Sequence, residues 1–309
     1  MTATPPATPH GVFIGLTVLD VLNRVNKPPH QNEKITAHQQ DIAAGGPAAN
    51  AALTYAALGG HATLITLLGD SPASQIARAD LEHYGVTIID CAPTGTGIGI
   101  SAITVLETNG DRSVISPDGG TFNTWEITDT LRTTITDALQ NTTVALADGH
   151  HPQLLEEVLD YLPANTPLVI DAGRWKPQFE WLMPKATHIV ASADFHDPLG
   201  FMDNAFTRSS ERVEHTVVQT HGAHPIRWVH GQQHGIVTAP SVHARDTLGA
   251  GDVFHGAYCY FLTAGKWQIP QVIEQAAHVA ALKVSTVGPR AWIAQLSHIN
   301  PDNPYIYVP

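Results

Sequence analysis

The sequence predicts an α/β fold: a mostly parallel central sheet flanked by helices on both faces, with a small β-sheet lid. Three observations carry this. Strand-like apolar runs alternate with helix-length stretches along most of the 309 residues, the pattern of βαβ units. With 43% hydrophobic residues, a chain of this length can bury a large core. Residues 33–43 and 98–117 break the alternation with consecutive strand-like segments, which are expected to form the lid. The formal net charge of -12 argues against nucleic acid or an anionic membrane as the main partner, since both reward basic patches.

Taken in order, residues 1–10 (MTATPPATPH) are expected to be a flexible tail, and residues 11–309 a single domain. GVFIGLTVLD reads as the first strand. PAANAALTYAAL has the alanine and leucine content of a helix and stops at Gly59-Gly60. HATLITLLG is a strand, and Ser71-Pro72 then opens a helix that runs to Gly85, with serine at the cap and proline at the first helical position. VTIIDCA, TVALADG, PLVIDAG, THIVASA and TVVQTHG read as strands, with a helix over HPQLLEEVLDYL. Within 98–117 an Asn109-Gly110 pair marks a hairpin turn that favours positive φ. The start lacks the basic residues and apolar run of a secretory signal, and no apolar segment approaches the ~20 residues of a membrane span. Two cysteines, Cys91 and Cys259, suggest neither a disulfide framework nor a thiolate metal site. The expectation is a soluble cytoplasmic protein.

The most informative stretch is Asp246-Thr247-Leu248-Gly249-Ala250-Gly251-Asp252 followed by VFHGAYCYFLTAG. Gly249, Ala250 and Gly251 let the backbone turn tightly and aim unpaired N–H groups at one point, at the positive end of a helix dipole. An anion can sit there without a lysine. Asp252 then has two open readings, a helix cap or a base that takes a proton from a hydroxyl.

This stretch resembles the C-terminal signature of the ribokinase-like, or PfkB, family of carbohydrate kinases. Gly45-Gly46-Pro47-Ala48-Ala49-Asn50 looks like the family's N-terminal block, and GLTVLDVL, from Gly15 to Leu22, is similar to its first strand and following aspartate, closest in wording to ketohexokinases. The Asn109–Arg112 hairpin, VVQTHGA and AALKVSTVGPRA extend the resemblance from about residue 11 to residue 293. The resemblance implies a ribokinase-like fold and transfer of the γ-phosphoryl group of ATP to a small sugar or polyol. In that reading Asp252 is the base and Gly249, Ala250 and Gly251 form the anion hole, while Asp20, Gly46 and Asn50 hold the sugar. It assigns Thr220 and Gly222, with Arg174 and Lys176, to the nucleotide phosphates, and magnesium to bridging them. It further implies a potassium-type site at the carbonyls of Asp246 and Leu248 near Gly288, and a homodimer formed through the lid.

Departures from the pattern bear on the substrate. The family's N-x-x-E motif for water-mediated magnesium reads Ser192-Ala193-Asp194-Phe195 here, leaving Asp194 as the candidate. Pro47 stands where ketohexokinases have an asparagine that helps bind the ketose, and His150 falls where some relatives offer arginine. GTGIG, from Gly95 to Gly99, lacks dinucleotide-loop spacing, and no Walker sequence is present. HGAH and HGQQH read as loop histidines, and His255 as a helix packing or solvent-facing residue. Three alternatives stay open: a nucleoside kinase, a phosphosugar kinase needing a basic cluster near Asp20 and Asn50, and a catalytically silent sugar-binding or regulatory protein.

Overall fold

A computed structural model describes residues 8–117, 127–207 and 213–298. The main sheet has nine strands. They are β1 (His10–Ile14), β4 (His61–Thr66), β5 (Val86–Asp90), β8 (Val144–Ala147), β9 (Leu168–Ala172), β10 (His188–Ser192), β11 (Val213–His221), β12 (His224–Gly231) and β13 (Gln233–Val237). Their order is β13-β12-β11-β10-β9-β8-β1-β4-β5, parallel from β11 to β5 with an antiparallel edge of β12 and β13. The chain leaves β1 toward β4 on one side and returns through β8 on the other, so the strand order reverses between β1 and β8. In parallel α/β sheets the crevice at such a point is where ligands bind.

Successive residues of each strand feed opposite faces. Val12 and Ile14 belong to one core and Phe13 to the other. One core packs under α1 (Pro47–Ala57), α2 (Pro72–His83), α7 (Ala250–Thr263) and α8 (Ile269–Ser285). The second lies under α3 (Asp129–Leu139), α4 (Pro152–Asp160), α5 (Phe179–Leu182) and α6 (Phe201–Thr207). The Ser71 side chain caps α2 by accepting from the Ser74 N–H at 3.2 Å, and Gly59 takes φ 99° just beyond α1. No helix among the described residues is long and apolar enough to cross a membrane.

The lid is a four-stranded sheet of β3 (Gln39–Gly45), β2 (Val18–Val25), β6 (Ile100–Leu106) and β7 (Arg112–Ile115), in that order. Its boundaries differ from the sequence expectation. Residues 33–38 are loop, and GVFIGLTVLD is two strands rather than one. The break falls at Gly15, where a side chain would overlap the Asp148 carboxylate and where Asp148 captures the next N–H, from Leu16, at 2.9 Å. The chain therefore leaves the main sheet, and Asp20 lies within a lid strand, paired with Ala43 and Ser101. At the N-terminus, residues 1–7 of the expected tail lie outside the described residues, and His10 is already paired with His61 in the main sheet. The HGAH and HGQQH histidines also differ from expectation: they lie on β11–β13 around two hairpin turns, with His230 Nδ1 2.7 Å from Thr216 Oγ1.

Asp148, just beyond β8, ties the switch point together. It accepts from Leu16 N (2.9 Å), Ala48 N (3.1 Å) and His150 N (2.8 Å), linking the strand break, the start of α1 and the loop after β8. Burial works to raise its pKa, but His150, Lys176 and these N–H groups hold the carboxyl far below its usual value. Its stabilising contribution is therefore present at neutral pH and is lost as pH falls through the acidic range. Asp148→Leu, which leaves all these donors without an acceptor, should cost about 3–5 kcal/mol in urea unfolding at pH 7. A loss below about 1 kcal/mol would show that water replaces the carboxylate there.

Candidate active site

The segment 246–252 forms the turn into α7 as its glycines require. Gly249 is the N-cap at φ 69°, a left-handed conformation, and Asp252 sits in the first turn. The Ala250 N–H donates to the Thr247 carbonyl at 3.4 Å, while the other N–H groups at the start of α7 precede the intrahelical ladder, the place where a helix leaves donors open to an anion. Gly251 faces empty space: a methyl group there would meet nothing within 4 Å. Internal packing therefore does not demand glycine at 251; a ligand approaching the backbone closely would. At the other end of the segment, Thr247 donates through N (3.3 Å) and Oγ1 (2.8 Å) to the carbonyl of Gly110, which sits in the lid hairpin turn. Arg112 Nη1 reaches Thr247 Oγ1 at 3.1 Å, and Leu248 packs on the inner lid residues Leu22, Ile103 and Val105.

Asp252 is half-buried, and its Oδ2 accepts from Asn50 Nδ2 at 2.8 Å. The two motifs, about two hundred residues apart, thus meet. A cleft beside them is lined by Asp20, Asn50, Gly249, Lys283 and Arg290 among others. Gly45 is the glycine that Asp20 needs, since a side chain there would collide with its carboxylate. Gly46 serves the turn into α1, with φ 101° and the Leu16 carbonyl pressed against it. Arg290 was not assigned a role from sequence, although it falls in the AALKVSTVGPRA stretch. It donates to Asn50 Oδ1 (3.3 Å), the Ala44 carbonyl (2.7 Å) and Asp80 Oδ2 (2.8 Å), clamping both sides of the sugar block.

Electrostatics separate these carboxylates. Burial pushes Asp252 up to about 7, helped by the Asp171 and Asp20 carboxylates and opposed by the Asn50 hydrogen bond and His255. Burial likewise raises Asp20 to about 6 against the Ser101 hydrogen bond and Arg290. Asp171, at the C-terminal end of β9, was missed from sequence. Its signal was an aspartate closing an apolar strand, the same pattern that gives Asp148 after β8. Asp171 Oδ2 lies 3.5 Å from His255 Nδ1. His255 is buried rather than solvent-facing, with Nδ1 2.7 Å from the Gly251 carbonyl and Nε2 3.1 Å from that of Val190.

The other expected residues are more dispersed. Thr220 is the penultimate residue of β11, with Oγ1 3.4 Å from the Ala191 carbonyl, and Gly222 turns into β12 at φ 58° with open space around it. Arg174 is exposed beyond β9. Lys176 is turned inward, donating to the Asp148 carbonyl at 3.0 Å and lying over the Phe179 ring. Asp194 is exposed after β10, while Phe195 is core, packed on Trp175 and Phe179. Asp246 is fully buried and bonded to Arg24 and Lys283. Among the described residues no group of three or more histidine, cysteine or acidic side chains could hold a metal ion.

The glycine turn that opens α7 and the raised Asp252 thus lie beside a cleft next to the four-stranded sheet. Residues 9–295 match the model of the pfkB family of carbohydrate kinases, and the chain belongs to that family. It is a phosphotransferase that acts on an alcohol group. It is 23% identical to ribokinase of Bacillus subtilis over 278 residues, covering 89% of this chain and 92% of the relative. It is 22% identical to deoxyribokinase of Salmonella typhimurium over 302 residues, covering 93% and 96%. The crystal structure of ribokinase from Thermotoga maritima shares the fold with a TM-score of 0.73 at 20% identity, covering 92% of this chain and 95% of that one. Kinases of this type use ATP and magnesium generally.

The open space at Gly251 yields a test that separates ligand approach from folding. Gly251→Ala should leave the melting temperature unchanged or raised, because alanine favours the helix by up to about 1 kcal/mol. Turnover should fall by roughly 10²-fold as the methyl group displaces the transferred phosphoryl. Full turnover in a stable Gly251→Ala protein would place the anion elsewhere.

Proposed function

We propose that the protein transfers the γ-phosphoryl group of ATP to a hydroxyl of a small, unphosphorylated sugar or polyol, with Asp252 as general base. The observation that carries this reading is the 2.8 Å contact from Asn50 to Asp252, which sets the base beside the residues expected to hold the sugar. The sugar hydroxyls bind Asp20, Asn50 and the Gly45-Gly46 turn. The attacking oxygen forms a bond to the γ-phosphorus as the bond to the bridging oxygen of ADP breaks, and the hydroxyl proton passes to the Asp252 carboxylate. The N–H groups from Gly249 to Asp252 receive the charge on the transferred group, which supplies stabilisation by prior orientation. Thr220 and Gly222 flank the nucleotide, with Arg174 and Lys176 as the cations for its phosphates. Magnesium, bound to those phosphates, would neutralise their charge, and Asp194, exposed after β10, is the carboxylate that would hold it through water.

The charges near the cleft favour an unphosphorylated substrate. Arg290 is committed to Asp80, and Arg24 and Lys283 to Asp246, so none is spare for a second phosphate. The segment ITAHQQDIA, whose last five residues enter β3, offers no phenylalanine, tyrosine or tryptophan to clamp a nucleobase. Potassium is not given a step, since the donor set at Asp246 already holds cationic side chains.

Incubation with ATP and magnesium across hexoses, ketoses, pentoses, sugar acids, phosphosugars and nucleosides should give a phosphorylated product from a neutral sugar, and Asp252→Asn should lower the rate by about 10²–10⁴-fold. Because only the ionised carboxylate accepts a proton, kcat/KM should rise with pH through about 7. Asn50→Leu removes a hydrogen bond that lowers the Asp252 pKa, so that rising limb should move to higher pH. An unmoved limb would assign the titration to another group. Binding of sugar or ATP without product would instead favour the silent binding-protein reading.

We infer further that two copies pair through the lid. Ile42, Val21, Ala102 and Ile115 lie in one row across the four strands, on the face away from Asp20, with Ile100 adjacent. Ile42, Ile100 and Ile115 are all at least half exposed, an apolar patch suited to a second copy. Light scattering should give a dimer for the wild type and a monomer for Ile115→Lys. A monomeric wild type would end this assignment.

A further inference from the structure

The loop that opens α7 is held by a buried ion cluster centred on Asp246. Lys283 Nζ lies 3.3 Å from the Asp246 carbonyl oxygen and 3.3 Å from its Oδ1. Arg24 Nη2 donates to Oδ2 at 3.1 Å, and Nη1 to the Arg245 carbonyl at 3.1 Å. The Leu248 N–H closes on Oδ1 at 3.1 Å and the Gly288 N–H on Oδ2 at 3.0 Å. Every oxygen of Asp246 therefore has a donor, and two of those donors carry positive charge. Asp246 is 0%, Lys283 3% and Arg24 7% exposed.

The resemblance assigns a monovalent cation to this loop, through the Asp246 and Leu248 carbonyls and the segment near Gly288. The residues present do not fit one. The Asp246 carbonyl that would ligate the ion is bonded to an ammonium, and a potassium ion beside it would meet two fixed cations against one carboxylate. Like charges so close together and so little exposed to water repel strongly, which opposes entry of the ion.

We propose that the Lys283 ammonium takes the place of a monovalent cation in this protein, so that the anion-hole loop is ordered without potassium. The geometry supports the exchange. Lys283 lies on α8, which packs against α7, and its Nζ joins α8 to the residue that begins the 246–249 turn. Burial lowers the Lys283 pKa, with Arg24 and Arg290 acting in the same direction and Asp246 opposing them. The carbonyls and carboxylate that a soluble ion would draw together are drawn together by a cation covalently attached to the fold. The inference rests on the kinase reading for its consequence in turnover, and on the ion cluster alone for its consequence in stability.

The test compares potassium with tetramethylammonium at fixed ionic strength, in thermal unfolding and in turnover, for the wild type and Lys283→Met. The wild type should melt at the same temperature in both salts and turn over at rates within about twofold. Lys283→Met should melt lower and turn over at least about tenfold more slowly in tetramethylammonium, with both losses reduced by potassium. Potassium-specific stabilisation or activation of the wild type overturns the proposal. So does a Lys283→Met protein that keeps full stability and rate without potassium, or one whose losses potassium leaves untouched. If Lys283→Met does not fold, Lys283→Arg, which retains a cation, should stay insensitive to the choice of salt, and potassium dependence in that variant overturns the proposal. Unfolding requires no substrate, so failure to find a phosphorylated sugar leaves the stability comparison intact.

Discussion

The close approach of α7 to α1 is the constraint on which the site depends. At Gly256 a side chain would drive into the Ala51 carbonyl and Thr54, so the helices meet almost backbone to backbone. On the α1 side Ala48, Ala49, Ala51 and Ala52 are fully buried, leaving no bulk to hold the helices apart. That contact brings Asn50 within hydrogen-bonding reach of Asp252. Packing of small residues, rather than any strong polar bond, therefore sets the distance between Asn50 and Asp252.

The same residue type is driven in opposite directions by its surroundings. Asp148 accepts several N–H bonds at the switch point and is held as an anion, which makes it a structural pin. Asp252 is desolvated next to Asp171, with few compensating donors, and is raised to about 7. The first arrangement supports folding; the second costs stability when the carboxylate ionises but brings its proton affinity to the range that the proposed base needs.

The lid is bonded to the catalytic loop as well as lying over the cleft. The Gly110 turn accepts both donors of Thr247, Arg24 on β2 reaches Asp246, and Leu248 packs beneath β6. A displacement of the lid must therefore pull on the turn that opens α7. Asp20 and Arg24 share β2, so a contact at Asp20 has a short physical route to the proposed anion-hole turn.

The strand and helix alternation, the serine cap at Ser71, the positive-φ turns at Gly110 and Gly249 and the Asp252 motif are local matters of period and backbone freedom, so the sequence alone determined them. Asp20, Asn50 and Asp252 stood out as candidates because short blocks carried them, and the fold brings Asn50 onto Asp252. What sequence could not yield depended on groups distant along the chain. The split of the first strand at Gly15 follows from Asp148, more than a hundred residues later. Arg290 joins Asn50 and Asp80 because α8 delivers it there. The meaning of Asp246 changed most: its motif suggests a ligand for a mobile cation, but only tertiary structure places Lys283 on it. Local propensity fixes where the chain turns, whereas burial and long-range packing decide which charges meet, and those meetings determine what each carboxylate can do.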